Sequence, residues 1–351
     1  LTAEQVAALT HNIVWLENAT VNGEQVLVPV LYLAHANNRL APNGALIAGN
    51  DLNLIAGKEL NNVGTLRAIN NLSATAGTDV VNSGLIEAGN RLDLLANNNL
   101  INKTGGIISG RDVSLKAVNG NVINERTVTS HQSSSGSRTE RSDFVDNAAR
   151  IEAANNLSMQ AGRDINSVGG VLRSGADTTI KAGRDVNLIA AEQRDASAVT
   201  NTTRSNSVTQ YGNVIEAGRD FRVQAGRDIS AIASQIDAKR DVAMAATGDL
   251  TLASGANEQH ATINSKKVKS QEDHVQQVST TLKAGGDVTL SAGQDLALIA
   301  SRVTAGDEAY LVSGKNLELK SAEDQDYSFY SKTKKSSSGK KFRLDETEST
   351  T

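Results

Sequence analysis

The sequence predicts an all-β fold, a three-sided parallel β-helix of about 20 residues per rung. Three observations carry that prediction. A phrase of small residue, Gly, any residue, Asp or Asn, then an aliphatic recurs along the chain, as in Ala48-Gly49-Asn50-Asp51-Leu52, Ala161-Gly162-Arg163-Asp164-Ile165 and Ala182-Gly183-Arg184-Asp185-Val186. Successive copies lie alternately about 8 and about 12 residues apart, so the true repeat holds two copies and spans 20 or 21 residues. The composition also suits a narrow core, with 29 Gly, 2 Pro and only 3% aromatic residues in 351. A solenoid is a scaffold for reach and surface before it is anything else.

Residues 1–40 do not repeat. Thr2-Ala3-Glu4-Gln5 resembles a capping box and predicts a short helix through Leu9. Ile13 to Val21 and Gln25 to Leu33 are β-prone, and Asn22-Gly23 between them is a hairpin turn signal because both positions favour positive φ. Helix and hairpin are expected to cap the open end of a stack occupying residues 41–351. Within it, one rung divides into Asn50 to Ala56, Glu59 to Val63 and Thr65 to Ala68, with corners at Gly49, Gly57 and Gly64. Leu52 and Leu54 alternate with polar neighbours, as strands with one buried face require. Roughly ten such rungs would span about 50 Å.

A longer period overlies this one. From about residue 119 every second rung carries an insertion, giving four arms near 125–147, 191–213, 254–280 and 321–351. The arms are polar and β-prone. They suit either independent loops or β-hairpins. A hairpin is two strands wide, about 9.6 Å, and two rungs rise by the same amount, so hairpins on alternate rungs could pair into a wing beside the stack.

The repeated Asp is expected to cap its own turn through backbone N–H groups rather than to bind calcium. The adjoining Arg (Arg111, Arg163, Arg184, Arg219, Arg227 and Arg240) is expected mainly to face solvent, with Asp of a neighbouring rung as the alternative partner. No cysteine is present, which removes disulfides and thiolate metal sites, and the five histidines lack metal-ligand spacing. No catalytic residues, cofactor site or metal site are predicted, so the segment is expected not to be an enzyme. The formal net charge of -4 argues against nucleic acid as a partner. No apolar run reaches the length of a membrane span, and no signal peptide opens the chain. Leu1 and Thr351 read as the bounds of a piece of a longer protein, expected to be monomeric.

Two basic clusters lie in the arms: Lys266, Lys267 and Lys269, then Lys332, Lys334, Lys335, Lys340 and Lys341, the second with Tyr327, Phe329 and Tyr330 nearby. Together they are the candidate surface-binding residues, suited to anionic glycans, lipopolysaccharide or a bilayer surface. Lysines on edge strands also serve simply to prevent self-pairing.

The Ala-Gly-Arg-Asp-aliphatic phrase at this period resembles the hemagglutinin repeats of filamentous-hemagglutinin-type exoproteins. The opening Leu1-Thr2-Ala3-Glu4-Gln5-Val6, with Ile13-Val14-Trp15-Leu16 and Val26-Leu27-Val28-Pro29-Val30, resembles the start of the second repeat region of contact-dependent growth inhibition proteins of the CdiA type. That resemblance implies a right-handed β-helix, secretion through the outer-membrane transporter of a two-partner system, and retention in the producer's periplasm before target contact. It implies display at the bacterial cell surface and a non-enzymatic role in moving a C-terminal toxin across a target cell's outer membrane. An adhesin module binding anionic glycans or host surfaces is the alternative. The resemblance supplies no catalytic residues.

Overall fold

The computed structural model describes residues 13–21, 24–32, 45–200, 202–335 and 341–350. Among them there is no helix, and the short helix expected over residues 2–9 lies outside the described residues. Ile13–Val21 and Glu24–Tyr32 form the expected antiparallel hairpin, in register from Ile13↔Tyr32 to Val21↔Glu24.

Three ten-stranded parallel sheets make the stack. The first rung supplies Leu52–Ala56 to one sheet, Leu60–Asn62 to the second and Thr65–Ala68 to the third, matching the predicted corners. Equivalent residues lie directly above one another, as in Leu52↔Leu72, Leu72↔Leu92 and Leu92↔Val113. The three-sheet pattern is a triangular β-helix whose interior is one continuous column, mostly Leu, Ile, Val and Ala, joined by Met159, Phe221 and Met244. Full burial of each large aliphatic side chain stabilises by roughly 1.5–3 kcal/mol. A column of Ala, including Ala76, Ala96, Ala117 and Ala161, fills the tight space before one corner.

The repeated phrase has a job for each residue, shown best at Ala182-Gly183-Arg184-Asp185. Ala182 is 3% exposed in the core. A Cβ on Gly183 would stand 2.2 Å from the Gly162 carbonyl oxygen of the rung below, so only glycine lets the rungs close at this corner. The Arg184 guanidinium donates to both oxygens of Asp164 one rung down, at 2.7 and 2.5 Å. Asp185 accepts the backbone N–H of Asp228 on the next rung at 3.3 Å and pairs with Arg227.

This corrects two expectations. The Asp caps the corresponding corner one rung up, not its own turn. At one corner the chain of side-chain acceptors runs unbroken from Asp79 through Asn99, Asn121, Asp164, Asp185, Asp228 and Asp249 to Asp295 and the Asn316 N–H. A second chain at another corner runs from Asp112 to the Glu308 N–H. Asn substitutes freely because an amide oxygen accepts as a carboxylate does. The Arg residues at 184, 219, 227 and 240 are not merely solvated; each pairs with an Asp of the preceding rung. Stacking supplies a neighbour at a fixed offset, which spacing along the chain alone does not show.

A buried ladder was not foreseen. Asn62 donates to Asn82, Asn82 to Asn102 and Asn102 to Asn124, at 2.8, 2.8 and 2.9 Å. Each amide also donates to a backbone carbonyl, for example Asn102 to Gly106 at 3.0 Å. Farther along, Asn213 takes over, accepting from Ser167 and donating to Ser234.

Replacing Asn102 by Ala should strand amide groups on both sides and lower stability by about 1–3 kcal/mol, while Asn61→Ala on the exposed face should be near neutral; thermal unfolding distinguishes the two. Gly183→Ala should cost at least about 2 kcal/mol, read in the same assay. Asp177 is held well below the ordinary carboxylate value, at about 2, by the Arg219 hydrogen bonds, which outweigh burial. Its contribution is therefore complete above the unfolded value near 3.8 and is lost as pH falls through about 2. The stability gap between the wild type and Asp177→Asn should be present at pH 5 and close on acidification; a gap constant over that range would contradict the pairing.

Candidate functional site: the tip of the hairpin sheet

The insertions leave the stack at one corner, each after a strand of the second sheet; the first three return to a strand of the third, and the last follows Leu317–Lys320. All four are hairpins: Val128–Ser135 with Arg138–Val145, Ala191–Val199 with Thr203–Tyr211, Gly255–Asn264 with Val268–Val278, and Gln325–Lys335 with Lys341–Thr350. They join edge to edge into one eight-stranded antiparallel sheet. The wing is thus the arrangement adopted, and the match between two strand widths and two rungs explains why.

Side chains bridge adjoining hairpins at the roots. The Asp143 N–H donates to Asp195 at 2.9 Å, the Gln210 N–H to Asn257 at 2.7 Å and the Gln277 N–H to Asp324 at 2.6 Å. Arg126 is half-buried beside the first hairpin, donates to the Gly169 and Asp146 carbonyls, and lies 5.1 Å from the centre of the Tyr211 ring. Burial pushes the Arg126 pKa down, with the Tyr211 hydroxyl opposing. At Asp143 burial pushes the pKa up, but hydrogen bonds from Arg141, Ser130 and the Arg194 N–H outweigh it and hold the group low.

Both basic clusters come to the same distal end of the wing. Lys266 and Lys267 form the turn of the third hairpin, and Lys269 begins its second strand. The fourth hairpin lies alongside, with Val268 opposite Lys332, Lys269 opposite Ser331, and the Thr333 N–H donating to the Lys267 carbonyl at 2.8 Å. Lys334 and Lys335 continue that strand, and Lys341 starts the last one opposite Lys335. Lys340 lies outside the described residues. Among the described residues, none of Lys266, Lys267, Lys269, Lys332, Lys334 and Lys341 makes an ion pair. Sequence spacing separates the clusters by some sixty residues; the hairpin pairing unites them.

The aromatics do not form one patch. Strand alternation puts Tyr327 and Phe329 on one face and Tyr330 on the other, all three half-buried. Tyr330 shares a cross-strand level with Ser270, Ile263, Thr203 and Val199. Val199 and Ile263 are 39% and 41% exposed, and Leu344, opposite Lys332, is 53% exposed. A mixed row therefore runs beneath the lysines, in which Val199, Ile263 and Tyr330 alternate with the hydroxyl side chains of Thr203 and Ser270. The periodicity within one arm held no sign of it, because the row takes residues from three hairpins.

Asp345 and Glu346 also reach the tip, level with Lys269 and Ser270 across Ser331 and Tyr330, and further carboxylates lie nearer the middle and root. His260 lies between Asp273 at 2.8 Å and Glu258 at 3.3 Å; the Asp273 hydrogen bond raises its pKa, burial opposes, and Glu258 adds to the rise. His274 bonds Asp326 at 2.6 Å and ties the third hairpin to the fourth. A shallow groove of about 490 Å³ crosses this region, lined by small residues such as Ser197, Ser205 and Ala261 together with Glu140 and Glu272. Among the described residues no three His, Cys, Asp or Glu side chains are placed to hold a metal ion.

Comparison with known families follows the division into stack and wing. Models described as hemagglutinin repeats match residues 18–96 and 67–133, then 128–207, 195–269 and 261–349. The chain belongs to the hemagglutinin-repeat family. These repeats are similar over nearly the whole chain to the repeat region of CdiA-type contact-dependent inhibition proteins. A 16S rRNA endonuclease CdiA of Enterobacter cloacae is 34% identical over 96% of the chain and 10% of that protein. A deoxyribonuclease CdiA of Dickeya dadantii is 35% identical over 95% of the chain and 10% of its own length. A tRNA nuclease CdiA of Escherichia coli is 30% identical over 87% of the chain and 10% of its own length. The chain thus spans about a tenth of the length of these relatives. No solved structure matches it.

Proposed function

We propose that this segment is a non-enzymatic stalk of a secreted cell-surface exoprotein that helps carry a toxin domain of its parent across a target bacterium's outer membrane. One observation carries the reading. The same segment recurs in relatives named as an rRNA endonuclease, a deoxyribonuclease and a tRNA nuclease, so it is common to proteins whose named activities differ. A shared segment beside different activities is expected of a carrier. The stack suits that role, because each rung offers the next a finished template of backbone acceptors, and a chain emerging rung by rung can fold as it emerges.

The wing tip is the surface we assign to the target envelope. Its unpaired lysines favour an anionic surface, and the exposed Val199, Ile263 and Leu344 favour one with an apolar layer beneath. The wing is too polar for a lipid-facing barrel, which needs an outward apolar band. The lysines alone would also serve an adhesin that binds anionic glycans.

Replacing the four hairpins by short turns in the parent protein should leave the stack folded and secreted but stop toxin delivery, and delivery that persists would refute the assigned role. Reversing Lys266, Lys267 and Lys269 to Glu should weaken retention on anionic vesicles in a salt-dependent way. If the same change weakens retention on heparin and leaves vesicle binding intact, the adhesin reading is the better one.

A further inference from the structure

The first strand of the wing has a bare outer edge. Val128–Ser135 stands at the end of the eight-strand order and pairs on one side only, with Arg138–Val145. Among the described residues no hairpin springs from the rungs before it, so the approach is open. Such an edge presents a row of N–H and C=O groups, and proteins block these with lysine, proline or a bulge. This strand has none of the three. It reads Val-Thr-Ser-His-Gln-Ser-Ser-Ser, seven of its eight residues are exposed, and its register steps without a break from Val128↔Val145 to Ser135↔Arg138. The opposite edge of the wing, Lys341–Thr350, carries Lys341, Arg343, Asp345, Glu346 and Glu348. One edge is guarded by charge and the other is not.

We propose that Val128–Ser135 is a self-association edge that pairs antiparallel with the same strand of a second copy of this chain, joining two wings into one sheet. Three features select a second copy as the occupant. The wing already makes this contact three times within itself, at antiparallel junctions between polar hairpins such as Arg138↔Val199 to Arg141↔Ala196. Symmetry also fits. A two-fold axis normal to the sheet keeps each face on its own side, and one allowed register sets Gln132 opposite Gln132 and Ser133 opposite His131. No like charges then meet, and the two amides can bond to each other. A charged partner, by contrast, finds no complement, since His131 is the strand's one titratable side chain. The pairing departs from the monomer expected from sequence and does not depend on the delivery reading.

The chain contains no cysteine, so a single introduced thiol reports contact without background. Wild-type mass measured by light scattering should climb from 36.9 kDa toward twice that value as concentration rises. Under mild oxidation Gln132→Cys should form a disulfide-linked dimer, while Thr347→Cys on the guarded edge should stay monomeric. The double variant Gln132→Lys/Ser134→Lys should remain at the monomer mass with an unchanged β-sheet circular dichroism spectrum. A wild type that stays at monomer mass throughout would overturn the proposal. So would a double-lysine variant that still dimerises, or equal cross-linking of the two cysteine variants.

Discussion

The structure depends on one constraint: each corner N–H of a rung must find an acceptor on the rung beneath. Asp and Asn side chains provide it at two corners, and the chain of acceptors is continuous from Asp79 to Asn316 at one of them. Because donor and acceptor come from equivalent positions, the constraint forces an almost invariant repeat length. It also explains the wording of the repeat. Ala fits a tight core column, Gly lets backbones meet, Arg grips the Asp below, and Asp holds the N–H above. These are nearest-neighbour terms, so stability grows along the stack rather than around a globular centre.

The wing inherits its geometry from the stack. Hairpins leave every second rung at the same corner, and a hairpin is as wide as two rungs are tall. Adjacent hairpins are therefore delivered already spaced for pairing. Where ladder pairing ends near the roots, Asp195, Asn257 and Asp324 accept the remaining N–H groups. The stack thus acts as a ruler, and the wing gathers at its tip residues that are remote in sequence. The basic tip is a consequence of that assembly, as is the row that aligns Val199 with Ile263.

What could be read in the sequence follows from this division. The rungs, their corners and the arm positions were legible because each depends on local periodicity, and Leu52, Leu54 and Gly57 announce it directly. The Asn62-Asn82-Asn102-Asn124 ladder was present as an aliphatic-x-Asn pattern at the rung period, but one Asn beside another, as in Asn61-Asn62, gives no hint which is inside. The Asp and Arg roles were misassigned because both act between rungs. Tyr327 and Tyr330 were grouped by proximity along the chain, whereas the odd number of steps between them puts them on opposite faces. In each case the missing information was the partner one rung or one hairpin away.

The central claim is that equivalent residues lie stacked at a constant rise. Ser73 and Thr289 are both exposed on the first sheet and are separated by seven rungs of that sheet. Spin labels placed on cysteines at these two positions in the otherwise cysteine-free chain measure that separation directly. The account predicts a single narrow distance distribution near 34 Å, seven spacings of about 4.8 Å. A broad distribution, or one centred well away from that distance, would contradict it.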